Sequence, residues 1–361
     1  MRYFKILIIL TGLWGINLST SAQNFREESN ISKTFKIAPS GTLELSNKYG
    51  SVYVDTWDKD SVKINIEFII AEKNENRFKK IKNSVNFDFA GNSLYRTVKT
   101  QYGNSYSSLF KDLKEATNLF SSNADQTHVD YYITIPNYIN LNIDNKYGNI
   151  ILPSLLGDTD IKLSNGDFQA RELKGNNQLE LSFGSARLNA IERGNLKLNF
   201  LEASITKANN LTIESKSSNL NIEEANLLKL TSKRGDIEIT NTNYLFSETE
   251  FCQLFINNIS SEANIRLKYG ILKKLNCQSG FESITIYSTH ADVWLKLPKE
   301  DAYNIKTSYL KANCSSDKSI IWQPAEVADE EGTLTKSGYH LNKNSSSNVK
   351  IDITEANLNI Y

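Results

Sequence analysis

The feature that most constrains this chain is a short repeat in its middle. Units that read Leu or Ile, polar, Leu or Ile, followed by a second alternating strand, begin at Ile161, Leu179, Leu196, Leu211 and Leu228, with spacings of 18, 17, 15 and 17 residues. Alternation gives each strand one buried face and one solvated face. Two short strands in about 17 residues cannot enclose a core alone, so each unit must stack on the next.

The near-constant period favours a β-solenoid, in which each coil pairs with its neighbour about 4.8 Å along the axis. An antiparallel meander or sandwich of alternating strands is the alternative. That alternative needs hairpin turns, of which Asn165-Gly166 is the visible candidate, and hairpins do not require a constant period. We therefore predict stacked coils over most of the chain.

Three longer stretches share a second plan, in which an alternating strand ends at a proline and a loop leads to another strand. They are Phe35–Val54, Ile133–Leu152 and Leu295–Cys314. The first two contain the same Asn-Lys-Tyr-Gly corner, and a further Lys-Tyr-Gly stands at 268–270. Glycine accepts positive φ at little steric cost, which suits a tight corner. Asn47 and Asn145 precede these corners and are candidates for side-chain ladders between coils.

Three segments fall outside the repeats. Glu72–Val85 is charged and places Phe78, Ile81 and Val85 at helical spacing, which predicts a short helix over one end of the first β unit. Residues 101–126 are rich in Ser, Asn and Gln and predict a loop insertion. Residues 324–348 predict an irregular excursion before the last coil.

The N-terminus has the pattern of a cleaved signal peptide. Arg2 and Lys5 precede an apolar run over residues 6–16, and Thr20-Ser21-Ala22 supplies small residues for cleavage before Gln23. The apolar run is shorter than the roughly 20 residues of a spanning helix. We expect residues 1–22 to be the signal peptide, 23–132 an N-terminal β unit with the helix and loop insertion, and 133–361 the repeat domain. The protein is then exported to a periplasm, an outer-membrane surface or the extracellular space, with no transmembrane segment after cleavage.

Composition argues against several kinds of site. Lys plus Arg and Asp plus Glu are both 41, so the chain lacks the basic footprint of a nucleic-acid binder. The three histidines, at 128, 290 and 340, are far apart, and the acidic run Asp55, Asp58, Asp60 lacks the glycine and final glutamate of a hand-type calcium loop. Three arginines of the repeats, at 171, 187 and 193, fall at different repeat positions. We therefore predict no catalytic residue, no cofactor and no metal ligand.

Aromatic side chains and cysteines allow two interpretations each. The 17 Tyr and 16 Phe residues are suited either to a sugar-stacking stripe or, more commonly at strand positions, to packing. Cys252, Cys277 and Cys314 fit no metal or redox motif and suit buried, small apolar positions. A Cys252–Cys277 bridge is the alternative.

The prolines after alternating strands, the Asn-Lys-Tyr-Gly corners and the Leu-x-Leu/Ile units resemble the bacterial "putative adhesin" family of secreted β-solenoid proteins of unknown function, in the version typical of Bacteroidetes. The resemblance spans about Phe35–Tyr361. It implies an all-β fold, a right-handed parallel β-solenoid preceded by a smaller N-terminal β unit with a short helix. The usual crossover preference supports the same hand.

The leading functional hypothesis is a non-enzymatic, exported adhesin-like or scaffold protein that presents a repeated surface to surface glycans or envelope proteins. Two alternatives are a carbohydrate-active enzyme on a β-helix frame and a periplasmic sensor or assembly factor that acts through protein contacts.

Overall fold

The computed structural model describes residues 25–103, 127–324, 327–330 and 332–361; the expected signal peptide and most of the loop insertion lie outside these ranges. The strands are β1 (Phe25–Lys36), β2 (Thr42–Lys48), β3 (Val52–Thr56), β4 (Ser61–Glu72), β5 (Val85–Gly91), β6 (Tyr95–Tyr102), β7 (His128–Ile135), β8 (Asn140–Lys146), β9 (Ile150–Leu152), β10 (Thr159–Ser164), β11 (Phe168–Lys216), β12 (Asn219–Lys268), β13 (Ile271–Cys277), β14 (Ser283–Thr289), β15 (Asp292–Lys296), β16 (Tyr303–Leu310), β17 (Asn313–Ser315), β18 (Ile321–Trp322), β19 (Val327–Ala328), β20 (Leu334–His340), β21 (Asn348–Thr354) and β22 (Asn357–Ile360). The helix α1 spans Glu75–Ser84. Strands β11 and β12 are long runs that each pass through several coils.

The coils stack in parallel, which confirms the predicted β-solenoid. Strand β8 pairs in parallel with β2 on one side and β10 on the other. Ile161 of β10 lies opposite Leu179 of β11, and Leu211 of β11 lies opposite Leu228 of β12. These offsets of 18 and 17 residues equal the sequence period. Asn165-Gly166 forms a corner between β10 and β11 and not a hairpin, so the antiparallel meander is wrong for these coils.

The inward rows are those that the alternation predicts. Leu211 and Ile213 on one strand and Leu220 and Ile222 on the next are at most 3% exposed. The same slots of the following coil are filled by Leu228, Leu230, Ile237 and Ile239, which are also buried. Thr212, between two inward residues, faces outward and is half-buried. Each coil therefore contributes two short apolar rows to one continuous core.

The N-terminal unit continues the same stack and closes its end. Strands β2 and β3 pair in parallel with β8 and β9, whereas β4 pairs antiparallel with β1 and β7, and β5 antiparallel with β6. The predicted helix is present as α1. The Asn74 side chain caps it by accepting a hydrogen bond from the Arg77 backbone N–H at 3.1 Å, and Ile81 is buried beneath it.

The C-terminal end is also closed by antiparallel strands. Strand β20 pairs antiparallel with β16, and β18 and β19 pair antiparallel with β20. The stretch over 324–348, expected to be irregular, thus supplies a capping strand. The last coil is out of chain order, because β21 lies between β14 and β16, in parallel with both.

Asparagine side chains join successive coils, as predicted at the Lys-Tyr-Gly corners. The buried Asn145 amide donates to the Gly50 carbonyl of the neighbouring coil at 3.0 Å and to the Gly148 carbonyl at 3.1 Å. A second, exposed ladder was not anticipated. There, Asn226 donates to Asn209 and Asn243 donates to Asn226, both at 3.0 Å. These bonds repeat with the 17-residue period and help to fix the register of the stack.

Candidate functional site: a polar groove beside an aromatic corner

Each coil turns between its two strands at one residue in the left-handed conformation. Twelve of the thirteen non-glycine residues with positive φ in the described ranges occupy this position, with φ between 49° and 63°. In stack order this row, called the aromatic corner here, is Tyr49, Tyr147, Asn165, Phe183, Phe200, Ser217, Arg234, Phe251, Tyr269, His290, Glu355 and Lys311. At about 4.8 Å per coil the row is roughly 53 Å long.

Close stacking explains why the corner is so regular. The residue after the left-handed one is often glycine, as at Gly148. A Cβ placed on Gly148 would lie 1.9 Å from the carbonyl oxygen of Gly50 in the adjacent coil. The corner backbones therefore approach one another directly, and the preceding side chain is directed outward into a row.

Rings in the aromatic corner stack face to face along the axis. Phe183 and Phe200 have centroids 5.2 Å apart and planes 2° apart, and Tyr269 lies 5.0 Å from His290 with planes 4° apart. Phe183 is nevertheless 51% exposed. Within each stacked pair, the facing sides of the two rings cover each other. The structure favours the packing interpretation of these aromatics over a sugar-stacking stripe.

Charged residues recur on both sides of the corner. The residue before it is lysine in five coils: Lys48, Lys146, Lys216, Lys233 and Lys268. The second residue after it is acidic in four coils: Asp167, Glu202, Asp236 and Asp292. Some of these carboxylates serve the fold. The Asp167 carboxylate, for example, accepts the Ser185 backbone N–H of the next coil at 3.0 Å.

A groove lies next to the aromatic corner, on the outer face of the strands that follow the corner in each coil, where coils contributed by β11 and β12 meet. Its volume is about 440 Å³. Buried Ala186, Ala203 and Leu220 line it. The polar side chains that line it include Arg187, Glu202, Ser204, Asn221, Asp236 and Glu238, and Phe255 adds a ring. A second polar depression of about 440 Å³ lies on the outer face of the strands that precede the corner, and no aromatic side chain lines it.

The groove combines hydrogen-bond donors and acceptors over four coils. Asn219 is committed to the fold, because its side-chain oxygen accepts the Asp236 backbone N–H at 3.0 Å. Glu238 accepts from the Asn257 amide at 3.3 Å through one oxygen. Arg187 is exposed, and Asn221 lies two coils further along the same outward row. An arginine, amides and carboxylates spaced along an open channel are suited to a hydroxyl-rich, extended ligand.

The histidines that the sequence singled out do not come together. His290 belongs to the aromatic corner, and its Nδ1 lies 3.2 Å from a Glu355 carboxylate oxygen. His340 is buried, with Nδ1 2.8 Å from the Asp301 carbonyl oxygen and its ring stacked on Tyr303. His128 lies 3.9 Å from Asp130. Within the described ranges, no three His, Cys, Asp or Glu side chains cluster as metal ligands would.

The acidic run and the arginines also separate. Asp55 accepts the Thr56 backbone N–H at 2.8 Å, and Asp60 accepts the Tyr138 hydroxyl. Of the three arginines, Arg187 alone lines the groove, while the Arg193 side chain donates to Asn176 at 3.1 Å. Sequence reasoning did not find the groove. Its outward lining residues, Arg187 and Asn221 among them, follow the same alternation as the outward residues of other coils and supply no separate signal.

Cys252 and Cys277 are both buried free thiols, so the alternative of a bridge between them is wrong. Burial raises the pKa of both thiols. They act as small core residues, as the spacing indicated. Cys314 is half-buried.

Parallel coils in fixed register, with inward rows of Leu and Ile, define this chain as a β-solenoid protein. Residues 187–361 match the family described as Toastrack DUF4097. This match confirms the resemblance that the repeats and corners indicated. No curated protein matches the chain.

Several solved structures are similar over most of the chain at low identity. A putative adhesin from Bacteroides fragilis is 9% identical with a TM-score of 0.29, over 92% of this chain and 97% of that one. A putative cell adhesion protein from Clostridium sporogenes is 12% identical with a TM-score of 0.20, over 92% and 99%. A putative lipid binding protein from Parabacteroides distasonis is 11% identical with a TM-score of 0.22, over 92% and 96%. In the described ranges, no helix is long and apolar enough to cross a membrane.

Proposed function

We propose that this protein is an exported, non-enzymatic, adhesin-like β-solenoid that binds a surface glycan along the groove beside the aromatic corner. The observation that carries the proposal is the groove itself, an open channel that runs over four coils and is lined by Arg187, Asn221, Glu238 and their polar neighbours. A glycan chain presents hydroxyls at regular intervals, and such a ligand is recognised by repeated amide, carboxylate and guanidinium contacts.

Phe255 adds an apolar contact at one end of the groove. A sugar ring offers C–H groups on its faces that pack on an aromatic side chain, and the hydroxyls around its rim bond to the polar side chains. The long axis of the groove follows the stacking direction, so an extended polysaccharide contacts equivalent positions of successive coils. Affinity then grows with ligand length, because each further coil adds contacts.

A pair of matched double variants tests the proposal. Arg187→Ala/Asn221→Ala removes two groove side chains that make no side-chain hydrogen bond to any residue of the described ranges. Loss of two hydrogen bonds worth about 1 kcal/mol each predicts binding weaker by roughly tenfold to thirtyfold. Asn142→Ala/Arg171→Ala removes the same residue types elsewhere on the solenoid and should retain binding within about twofold.

The measurement is affinity electrophoresis of the full chain through a panel of neutral and acidic bacterial polysaccharides. Binding that the groove variant loses and the control variant keeps supports the proposal. Equal loss in both variants, or no binding to any polysaccharide, contradicts it. Release of reducing ends during the assay would instead favour the carbohydrate-active enzyme.

Export is part of the proposal and has its own test. If residues 1–22 are removed during export, the intact mass of protein recovered from an envelope fraction corresponds to a chain that begins at Gln23. A mass that includes Met1 would contradict the assignment of the N-terminus.

A further inference from the structure

The last coil of the chain occupies a slot whose walls are formed by earlier residues. Strand β16 follows β14 and β15 in the chain, yet it is not paired with β14. The space between β14 and β16 is one strand wide and is filled by β21. Likewise, β22 lies between β15 and β17.

The terminal coil, defined here as Asn348–Tyr361, is held on both sides along its length. In β21, Ile351 lies opposite Ile286 of one wall and Thr307 of the other. Its five inward side chains are at most 4% exposed: Val349, Ile351, Ile353, Leu358 and Ile360. At the chain end, the Tyr361 backbone N–H donates to the Leu295 carbonyl at 3.0 Å, and the Leu297 N–H donates to the Tyr361 carbonyl at 3.1 Å.

Side chains at the coil's corner also bridge both walls. Glu355 contacts His290 at 3.2 Å on one side and Lys311 at 3.3 Å on the other. Asn357 donates to Asp292 and accepts from Asn313, both at 3.1 Å. The slot thus recognises its occupant through backbone register, apolar fit and paired polar groups. Without the coil, the facing edges of four strands, β14 and β15 on one wall and β16 and β17 on the other, would lack these partners.

Residues 341–347, between β20 and β21, connect the coil to the strands that form the slot. Leu341 in this connection is 62% exposed. Both walls and the capping strand β20 precede the coil in the chain and are therefore synthesised before it. Whichever copy of the segment arrives first makes the same contacts.

We propose that the slot is a self-recognition site that accepts the terminal coil of a second copy of this chain, so that two copies join by exchanging Asn348–Tyr361. Exchange preserves every contact of the coil and changes only the path of the connecting residues, which is the usual basis of domain swapping. The tether gives a chain's own coil an effective concentration on the order of millimolar, so the exchanged form increases with protein concentration. The site is separate from the groove and does not depend on the proposed glycan function.

A pair of cysteine crosslinks in the full chain tests the exchange. Thr285 and Lys350 are outward-facing registered partners on β14 and β21, and Thr212 and Lys229 are the equivalent partners in two coils that are 17 residues apart in the chain. Thr285→Cys/Lys350→Cys and Thr212→Cys/Lys229→Cys are made in a background with alanine at the three native cysteine positions. Each protein is refolded and oxidised at about 5 µM and about 500 µM, below and near the tether's effective concentration.

We expect the terminal pair to give a covalent dimer whose fraction increases at least about fivefold between the two concentrations. The control pair should give intramolecular disulfides at both. Intramolecular disulfides alone from the terminal pair, or a dimer fraction no higher than that of the control, overturn the proposal.

The unmodified chain provides a measurement that does not depend on the cysteine variants. After refolding at the higher concentration, light scattering coupled to size-exclusion chromatography should detect a dimer that persists when diluted, because release requires the coil to leave its slot. A monomer at both concentrations also overturns the proposal.

Discussion

Ile213 and Thr212 are neighbours in the chain that face opposite sides of one coil, so replacing each by aspartate tests the register of the solenoid. Ile213 is fully buried and lies opposite Leu230 of the next coil. Thr212 faces outward, opposite the exposed Lys229. A shift of the strand by one residue would exchange these two environments.

The two substitutions have very different expected costs. Ile213→Asp loses the packing of a buried aliphatic side chain, about 2–5 kcal/mol. It also forces a carboxylate to be buried without a partner, which costs about a further 3 kcal/mol or leads to protonation. The sum, roughly 5–8 kcal/mol, is comparable to the whole stability of a typical domain. Thr212→Asp leaves the core intact and places a carboxylate near Lys229, so it should change the free energy of unfolding by about 0.5 kcal/mol or less.

Thermal unfolding followed by circular dichroism, with soluble yield as a second readout, measures both effects. Ile213→Leu is the control for side-chain shape and should cost less than about 1.5 kcal/mol. Collapse of the Thr212→Asp protein with tolerance of Ile213→Asp would show that the register is wrong. Tolerance of both would show that this coil is not packed against its neighbours.

Two further outcomes follow from the corner and from the core. Ser217→Phe places a ring beside Phe200, at a position where other coils carry Phe with a similar positive φ. The added stacking should raise the free energy of unfolding by about 0.5–1.5 kcal/mol. A lower melting temperature than that of the unmodified protein would contradict the stacking argument. Cys277 is buried and the pKa of its thiol is raised, so it should not react with iodoacetamide at pH 8 in the folded protein, whereas half-buried Cys314 should react. Peptide mass spectrometry measures the labelling of each cysteine. Faster labelling of Cys277 than of Cys314 would contradict the buried placement of Cys277.

The stacking of the coils could be predicted from the sequence because the same alternation that buries Leu211 and Ile213 recurs 17 residues later at Leu228 and Leu230. Burial of one face and repetition at a fixed spacing leave few other arrangements. The helix α1 could be predicted for a similar reason, since its apolar spacing differs from that of the strands around it.

The position of the terminal coil could not be predicted in this way. Sequence order suggests that Val349–Tyr361 stacks beyond the coil that contains Ile305, whereas the structure places it between that coil and the one that contains Ile286. Every coil presents similar Leu and Ile rows, so periodicity identifies a coil without giving its place in the stack. That place depends on specific partners, such as Glu355 between His290 and Lys311.

The groove was missed for a related reason. The alternation assigns Ala186 and Ala203 to the core and their neighbours to the surface, but it does not show which outward side chains enclose a depression. A depression depends on the volumes of side chains that are neighbours across coils, and those neighbours are known only when the register is known. The polar lining residues, Arg187 and Asn221 among them, are ordinary outward residues when each coil is considered alone.

A stack of similar coils has no natural end, because each terminal coil presents unpaired backbone groups to which another strand could add. This chain closes its N-terminal end with antiparallel β1, β4 and β5 and its C-terminal end with β20. At both ends an antiparallel strand, and not a further parallel coil, therefore follows the last coil. The terminal coil lies inside the stack, one coil away from the C-terminal cap, and residues 341–347 connect it to β20. When a second copy supplies this coil, the same pairings with β14 and β16 are restored. Exchange is therefore a route to association that leaves the closed ends of the stack, and the groove further along the solenoid, as they are in the single chain.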